Sequence, residues 1–174
     1  MAWATPPSVS PGTVISAASF GNVVRDDLLY LLTRPAAALK RDNGATYTTT
    51  SITFTPIDAT NLSITLNVSG SAVYLSLNAV VRNANTDQSA LFDFEIDGVR
   101  YANTCSNGLA RVTPLSTNAP TPLHMAVLVA GLSIGSHTFR PVWRCLAAGA
   151  IGLYSGNAVA GEDFLVAFSA HEVG

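Results

Sequence analysis

Residues 62–81 read LSITLNVSGSAVYLSLNAVV. Leu62, Ile64, Leu66 and Val68 alternate with polar residues, and after Ser69-Gly70 the alternation resumes in Val73, Leu75, Leu77, Ala79 and Val81. A period of two places every apolar side chain on one side of a pleated strand, so the stretch reads as two half-buried strands joined by a short turn. The same pattern extends in both directions. Thr46 to Thr55 is rich in β-branched residues upstream. Downstream, Phe92, Phe94 and Ile96 alternate with Asp93, Glu95 and Asp97. Asp97-Gly98 is a two-residue hairpin signal leading into Val99-Arg100-Tyr101. Leu123, Met125, Val127 and Val129 alternate again, Gly131 to Gly135 turns the chain into His137–Cys145, and further strands are expected at 149–155 and 162–172. About eight strands, with turns every 8–12 residues, predict an all-β antiparallel sandwich or jelly roll over residues 46–174. Pro141 within a strand predicts an edge or a bulge there.

Before residue 46 the period changes. Residues 1–13 carry Pro6, Pro7, Pro11 and Gly12 among Ser and Thr and read as an extended arm. Trp3 in that arm either anchors into a partner chain or packs back on its own domain, since a free tryptophan leaves about 150–250 Å² of apolar surface wet. Residues 16–33 read as the one amphipathic helix. Ser16 can cap its start, and Phe20, Val24, Leu28 and Leu31 fall on one face. Pro35 stops it, and 36–45 reads as a linker ending in Asn43-Gly44. Residues 1–45 are therefore expected to be a docking segment. An apolar stripe ahead of a β domain needs cover, and a neighbouring subunit or a particle surface supplies it.

Composition narrows the function. Of 174 residues, 48% are hydrophobic and only 11% charged, against about 25% charged in ordinary globular domains. Such a chain covers its surface with Ser, Thr, Asn and Ala, hides it against neighbours, or both. The net charge of −2 gives no footing for nucleic acid. The opening MAWATPPSVSPG lacks the basic start and apolar run of a signal peptide, so the protein is expected to be made in a cytoplasm. No run of 18 apolar residues predicts a membrane span. Cys105 and Cys145 lack metal spacing and are expected to be buried or half-buried thiols, with a disulfide left open.

Chemistry-bearing motifs are sparse. Gly131-Leu132-Ser133-Ile134-Gly135 fits the G-x-S-x-G nucleophile pattern. That serine needs a strand-to-helix turn, however, and a strand follows here, so a glycine-rich hairpin loop is expected. Asp93-x-Glu95-x-Asp97-Gly98 begins like a calcium loop, but its twelfth position is Thr104 rather than glutamate. The alternating phenylalanines make these acids the outward face of a strand, with Arg82, Arg100 or Arg111 expected alongside. His124 and His171 are far apart and read as packed or rim residues. No catalytic residue, metal site or cofactor is predicted.

Two stretches resemble known families. Residues 2–32, AWATPPSVSPGTVISAASFGNVVRDDLLYLL, resemble the start of many tailed-phage and prophage structural proteins through Trp3, Pro6, Gly12, Val14, Ala17, Ala18, Asn22, Val24, Arg25, Asp26, Leu28 and Leu31. They depart at Ser10-Pro11-Gly12, where an acidic pair is usual, and at Asp27, where asparagine is. Residues 50–81, then FDFEIDGVRY (92–101) and VAGLSIGSHTFRPVWR (129–144), resemble the C1q/TNF-like jelly roll of phage fibre heads and related bacterial proteins. The usual collagen or coiled-coil stalk is missing, which favours a short knob. The resemblance implies a virion protein without enzymatic activity, mostly a homotrimer, with capsid or tail proteins of the particle as partners. It would serve either as a tail-fibre knob for host recognition or as a capsid decoration. Trp3, Phe20, Val24, Leu28 and Leu31 would dock it. The alternative is a free jelly-roll lectin, with Tyr101, Trp143 and Tyr154 as candidate contacts to a host-surface glycan.

Overall fold

The computed structural model describes residues 17–41, 45–70, 72–83, 88–113, 119–147, 149–155 and 164–173. The chain divides into two units, 1–35 and 36–174. The first holds helix α1, Ala17–Leu32. Its last turn is closed by Thr33, whose amide (2.9 Å) and hydroxyl (2.6 Å) both donate to the Leu29 carbonyl. Trp3 and the Ser16 cap lie outside the described residues.

The second unit is all-β. Its strands are β1 (Ala36–Arg41), β2 (Ala45–Thr49), β3 (Thr55–Pro56), β4 (Ile64–Val68), β5 (Ala72–Asn83), β6 (Ala90–Ile96), β7 (Val99–Arg100), β8 (Ala110–Val112), β9 (Thr121–Val129), β10 (Gly135–Cys145), β11 (Ile151–Ser155) and β12 (Val166–Val173). Several pairs are two halves of one interrupted strand. β1 and β2 run on past β12 and then β11, and β11 and β12 lie end to end along one side of β5 while β9 takes the other. Likewise β4 and β3 share one side of β10, and β7 and β8 share one side of β6. Merged in this way, the twelve segments become eight strands in two antiparallel sheets. Sheet I runs β1/β2, β12/β11, β5, β9, and sheet II runs β3/β4, β10, β6, β7/β8. Neighbours within a sheet come mostly from opposite halves of the sequence, which is the jelly-roll arrangement.

The predicted alternation is what packs the two sheets. Leu75, Leu77, Val81, Phe168 and Leu153 of sheet I and Phe92, Phe94, Phe139 and Trp143 of sheet II are all buried. Phe94 stacks on Phe168 across the sandwich at 5.9 Å between ring centres. Such an aromatic pair adds about 0.5–1.5 kcal/mol beyond the area it buries.

Four expectations change. Residues 36–41, read as linker, form edge strand β1 with alternating exposure, so the head begins at Ala36. Three alanines in succession gave no strand signal; pairing with β12 supplies what local propensity lacks. Pro141 is in a central strand. Its carbonyl accepts from the Ile57 amide (3.0 Å), so its nitrogen points to the same side, into the break between β3 and β4, where no ladder bond is lost. Asp93 is on the outer face of its strand as expected, but it is buried, because residues 101–109 fold back over sheet II. Cys145 is a buried free thiol as expected, but Cys105 is exposed.

Candidate functional site

Three surfaces carry side chains that the fold does not need for its own core. The first is the helix. Val24, Leu28, Leu29 and Leu32 are 41%, 54%, 42% and 83% exposed and, with Gly21 and Arg25, line a shallow apolar groove. Val24 and Leu28 were expected there. Leu29 and Leu32 join them, because a helical stripe is wider than one residue per turn. The side chains of Phe20 and Leu31 lie outside the described set.

The second surface is the outer face of sheet I. Glu172 is the only acidic residue in any strand of this sheet, and it faces inward, accepting from the Ser69 amide (2.8 Å) and hydroxyl (2.6 Å). The outer face therefore carries no carboxylate from its strands. The pairing registers line up one row of small side chains across four strands: Ala38, Ser169, Ser76 and Ala126. Ser76 and Ser169 hydrogen-bond to each other at 2.8 Å. The next row toward one end is Ala36, His171, Tyr74 and Leu128, with Tyr74 and Leu128 exposed. At the other end, Thr46, Thr48, Arg82, Gly152 and Tyr154 surround a dimple of about 230 Å³. Arg82 donates to the Tyr154 hydroxyl and lies 5.3 Å from the centre of its ring.

The third surface, the outer face of sheet II, is the reverse: charged, with each acid paired. Asp93 receives Arg100 at 2.9 Å and Glu95 receives Arg140 at 3.3 Å, while at the end of the sheet Asp97, in the β6–β7 turn, receives His137 from the inward phase of β10 at 2.7 Å. Of the three arginines that were alternatives here, Arg100 is the one alongside. Arg82 sits on Tyr154 of the other sheet, and Arg111 bonds Ser89 and Thr113. Arg140 and His137 were legible only once β10 was known to pair with β6.

The Asp97–His137 pair brings in Ser133. His137 Nδ1 faces Asp97 Oδ2, and Nε2 lies 3.0 Å from the Ser133 carbonyl and 3.4 Å from the Ser133 hydroxyl. The order Asp, His, Ser is that of a nucleophile triad. The protonation differs. Both ring nitrogens face acceptors, and the hydrogen bond to Asp97, then that to the Ser133 carbonyl, raise the imidazole above its ordinary pKa against the opposing effect of burial. Asp97 is held below the usual carboxylate range: burial works against this, but the Thr138 amide (2.7 Å) and His137 outweigh it. The Ser133 carbonyl, an acceptor only, lies nearer to Nε2 than the hydroxyl does, and the group joins the β6–β7 turn to the loop before β10 as a clasp.

The three candidate glycan contacts do not converge. Trp143 is 2% exposed and packs beside Phe92 at 6.3 Å between ring centres, so it is a core residue and is withdrawn as a contact. It lies on the inward phase of β10 with Phe139 and Cys145, a phase that aromatic content alone does not reveal. The Tyr101 hydroxyl reaches the Leu128 carbonyl (3.4 Å) near one end of the head. Leu128 pairs with Tyr74 and Tyr154 pairs with Val80. Six residues along β5 separate them, about 20 Å.

No family model matches the chain, and no curated protein matches it. Among solved structures, a crystal structure of dimeric latent PorU from Porphyromonas gingivalis aligns at 6% identity and a TM-score of 0.39. The alignment covers 80% of this chain and 13% of that one. No helix among the described residues is long and apolar enough to cross a membrane.

Proposed function

We propose that this chain is a non-enzymatic virion structural protein: an oligomeric jelly-roll knob held to a phage particle by its N-terminal segment, on the tail or on the capsid. The observation that carries the reading is the exposed stripe Val24, Leu28, Leu29, Leu32 on α1. Water-facing leucines in successive turns are costly unless a partner covers them, at roughly 25 cal/mol per Å². The resemblance of residues 2–32 to tailed-phage structural proteins names the kind of partner.

The uncharged row Ala38, Ser169, Ser76, Ala126 supports oligomerisation through sheet I. Small side chains let a second subunit approach the sheet closely, and a closed ring covers such a face without open-ended growth. The number three rests on the likeness to C1q/TNF-like heads. The clasp at Ser133 supports the non-enzymatic part, since Nε2 lies closer to the Ser133 carbonyl (3.0 Å) than to the hydroxyl (3.4 Å) that a general base would have to engage.

Deletion of residues 1–35 tests the reading. The remaining head is expected to fold and oligomerise but no longer to bind particles, and retained binding would refute the anchor. Copy number per particle separates decoration, with hundreds of copies, from a tail knob, with a few to a few dozen. The second reading, a free jelly-roll lectin, is favoured by the dimple at Tyr154.

A further inference from the structure

We propose that β9 pairs edge to edge with β9 of a second copy, antiparallel about a two-fold axis at Met125. This edge contact rests on the reading of the chain as an oligomer and is distinct from the small-residue row on the face of sheet I.

The edge is open. β9 pairs with β5 on one side and, among the described residues, with no strand on the other. An unpaired strand is a template for another chain, and native proteins blunt such edges with charges, prolines or shortness. The other edges of the sandwich are blunted in those ways. β1 ends in Lys40-Arg41, β3 contains Pro56, β7 and β8 span two and three residues and carry Arg100 and Arg111, and β2 and β4 have five residues each. β9 runs for nine residues without Asp, Glu, Lys or Arg.

The N–H and C=O of one residue point to the same side of a strand and alternate with those of its neighbours. Pro122, which has no N–H, pairs with Val80, and its nitrogen costs the β5 ladder nothing when it faces away from β5. Leu128, in the same phase, accepts at its carbonyl from the Tyr101 hydroxyl of the other sheet at 3.4 Å. His124, Ala126 and Leu128 therefore direct their backbone groups to the open edge. Among the described residues no other bond reaches those groups.

The pattern of donors and acceptors selects a second copy as the occupant. With Met125 opposite its own counterpart, His124 faces Ala126 of the second copy and exchanges both bonds with it, and Leu128 faces Pro122. The Leu128 amide donates to the Pro122 carbonyl. Pro122 has no N–H to return, and the Leu128 carbonyl that would receive it already has the Tyr101 hydroxyl. The gap in the ladder falls where the acceptor is already served. Centring the pair on Ala126 instead sets the His124 amide against that carbonyl and puts Pro122 opposite Ala130, past the end of β9. The exposed side chains agree with the first register: His124 meets the small Ala126, Leu128 covers Pro122, and no like charges oppose each other. Ala126 also ends the small-residue row, so the edge and face contacts adjoin. A two-fold edge joint combines with a ring contact through the face in a closed dihedral assembly.

Amide hydrogen exchange on the full chain tests the pairing. In a lone subunit the amides of His124, Ala126 and Leu128 exchange fast, while those of Leu123, Met125 and Val127, bonded to β5, exchange slowly. In concentrated solution this alternation is expected to vanish, with all of these amides protected. Alternation that persists at every concentration overturns the proposal. A cross-link tests the register. In a Cys105→Ser background, which removes the exposed thiol, His124→Cys and Ala126→Cys chains are co-expressed and air-oxidised. The pairing sets these two positions opposite each other, whereas like positions are diagonal, roughly 7–8 Å apart and beyond disulfide reach. The mixture is expected to yield about tenfold more disulfide-linked pairs than either chain alone. Equal yields from the folded chains, or no cross-link in the mixture, overturn the register. Oligomers by sedimentation with persistent alternation mean that the edge contact is wrong and the oligomer reading stands, whereas a monomer at every concentration sinks both.

Discussion

The guanidinium of Arg100 lies 2.9 Å from the carboxylate of Asp93, a side chain with no exposed surface. Arg100 also donates to the carbonyls of Ala102 (2.9 Å) and Cys105 (2.8 Å) and stacks on Phe54 with its central carbon 3.8 Å from the ring centre. The other carboxylate oxygen accepts from the amides of Phe94 (2.8 Å) and Ala102 (3.3 Å). One ion pair thus pins residues 101–109 over the outer face of sheet II.

Removing one partner strands the other. Arg100→Ala is expected to cost about 3–5 kcal/mol, because a buried carboxylate loses its counter-charge. Urea unfolding measures it. The double variant Asp93→Leu with Arg100→Met is expected to recover part of the loss, and a double variant no more stable than Arg100→Ala would show that the pair is not the source.

The Asp97–His137 clasp makes stability depend on pH. An imidazole held above its ordinary value of 6.5 binds its proton more tightly when folded, so its contribution is complete below 6.5 and fades as pH rises through the folded value. Asp97, held below its ordinary 3.8, contributes above 3.8 and loses its contribution on acidification through the folded value. The advantage of the parent over His137→Ala should therefore be larger near pH 5 than near pH 9. Asp97 is nearly half exposed, so the pH-dependent part stays under about 1 kcal/mol. A difference in unfolding free energy that is flat from pH 5 to 9 would contradict the clasp.

Trp143 is expected to behave as core. Trp143→Ala should destabilise the head by about 3–5 kcal/mol. In a Trp3→Phe background its fluorescence should be blue-shifted and resist iodide quenching. Emission at the wavelength of free tryptophan would place the ring on the surface after all.

The small-residue row makes a sharp prediction about assembly. Ala126→Arg puts a long cation at the β9 end of the proposed contact and is expected to give folded monomers by sedimentation equilibrium at concentrations where the parent is oligomeric. Arg111→Ala, on the other sheet, should leave the assembly unchanged. An intact oligomer carrying Ala126→Arg would move the interface elsewhere.

By itself the sequence determined the class of fold. Strict alternation in 62–81 and around Phe92 to Ile96 assigns each apolar side chain to one face of its strand, and Asp97-Gly98 supplies the positive-φ turn, with φ of 51° and 84°, that a tight hairpin needs. Helix α1 was legible for the same reason, a period long enough to count. Only the tertiary structure decided what depends on contacts between distant residues. Strand β1 exists because β12 pairs with it; Asp93 is buried because a later loop covers it; and Trp143 points inward because of the phase of β10. Arg82, Gly152 and Tyr154 form one dimple only because β11 lies against β5. Period and turn chemistry act between neighbours in the chain, whereas register between strands some seventy residues apart is fixed by packing the whole sandwich, and no local pattern encodes it.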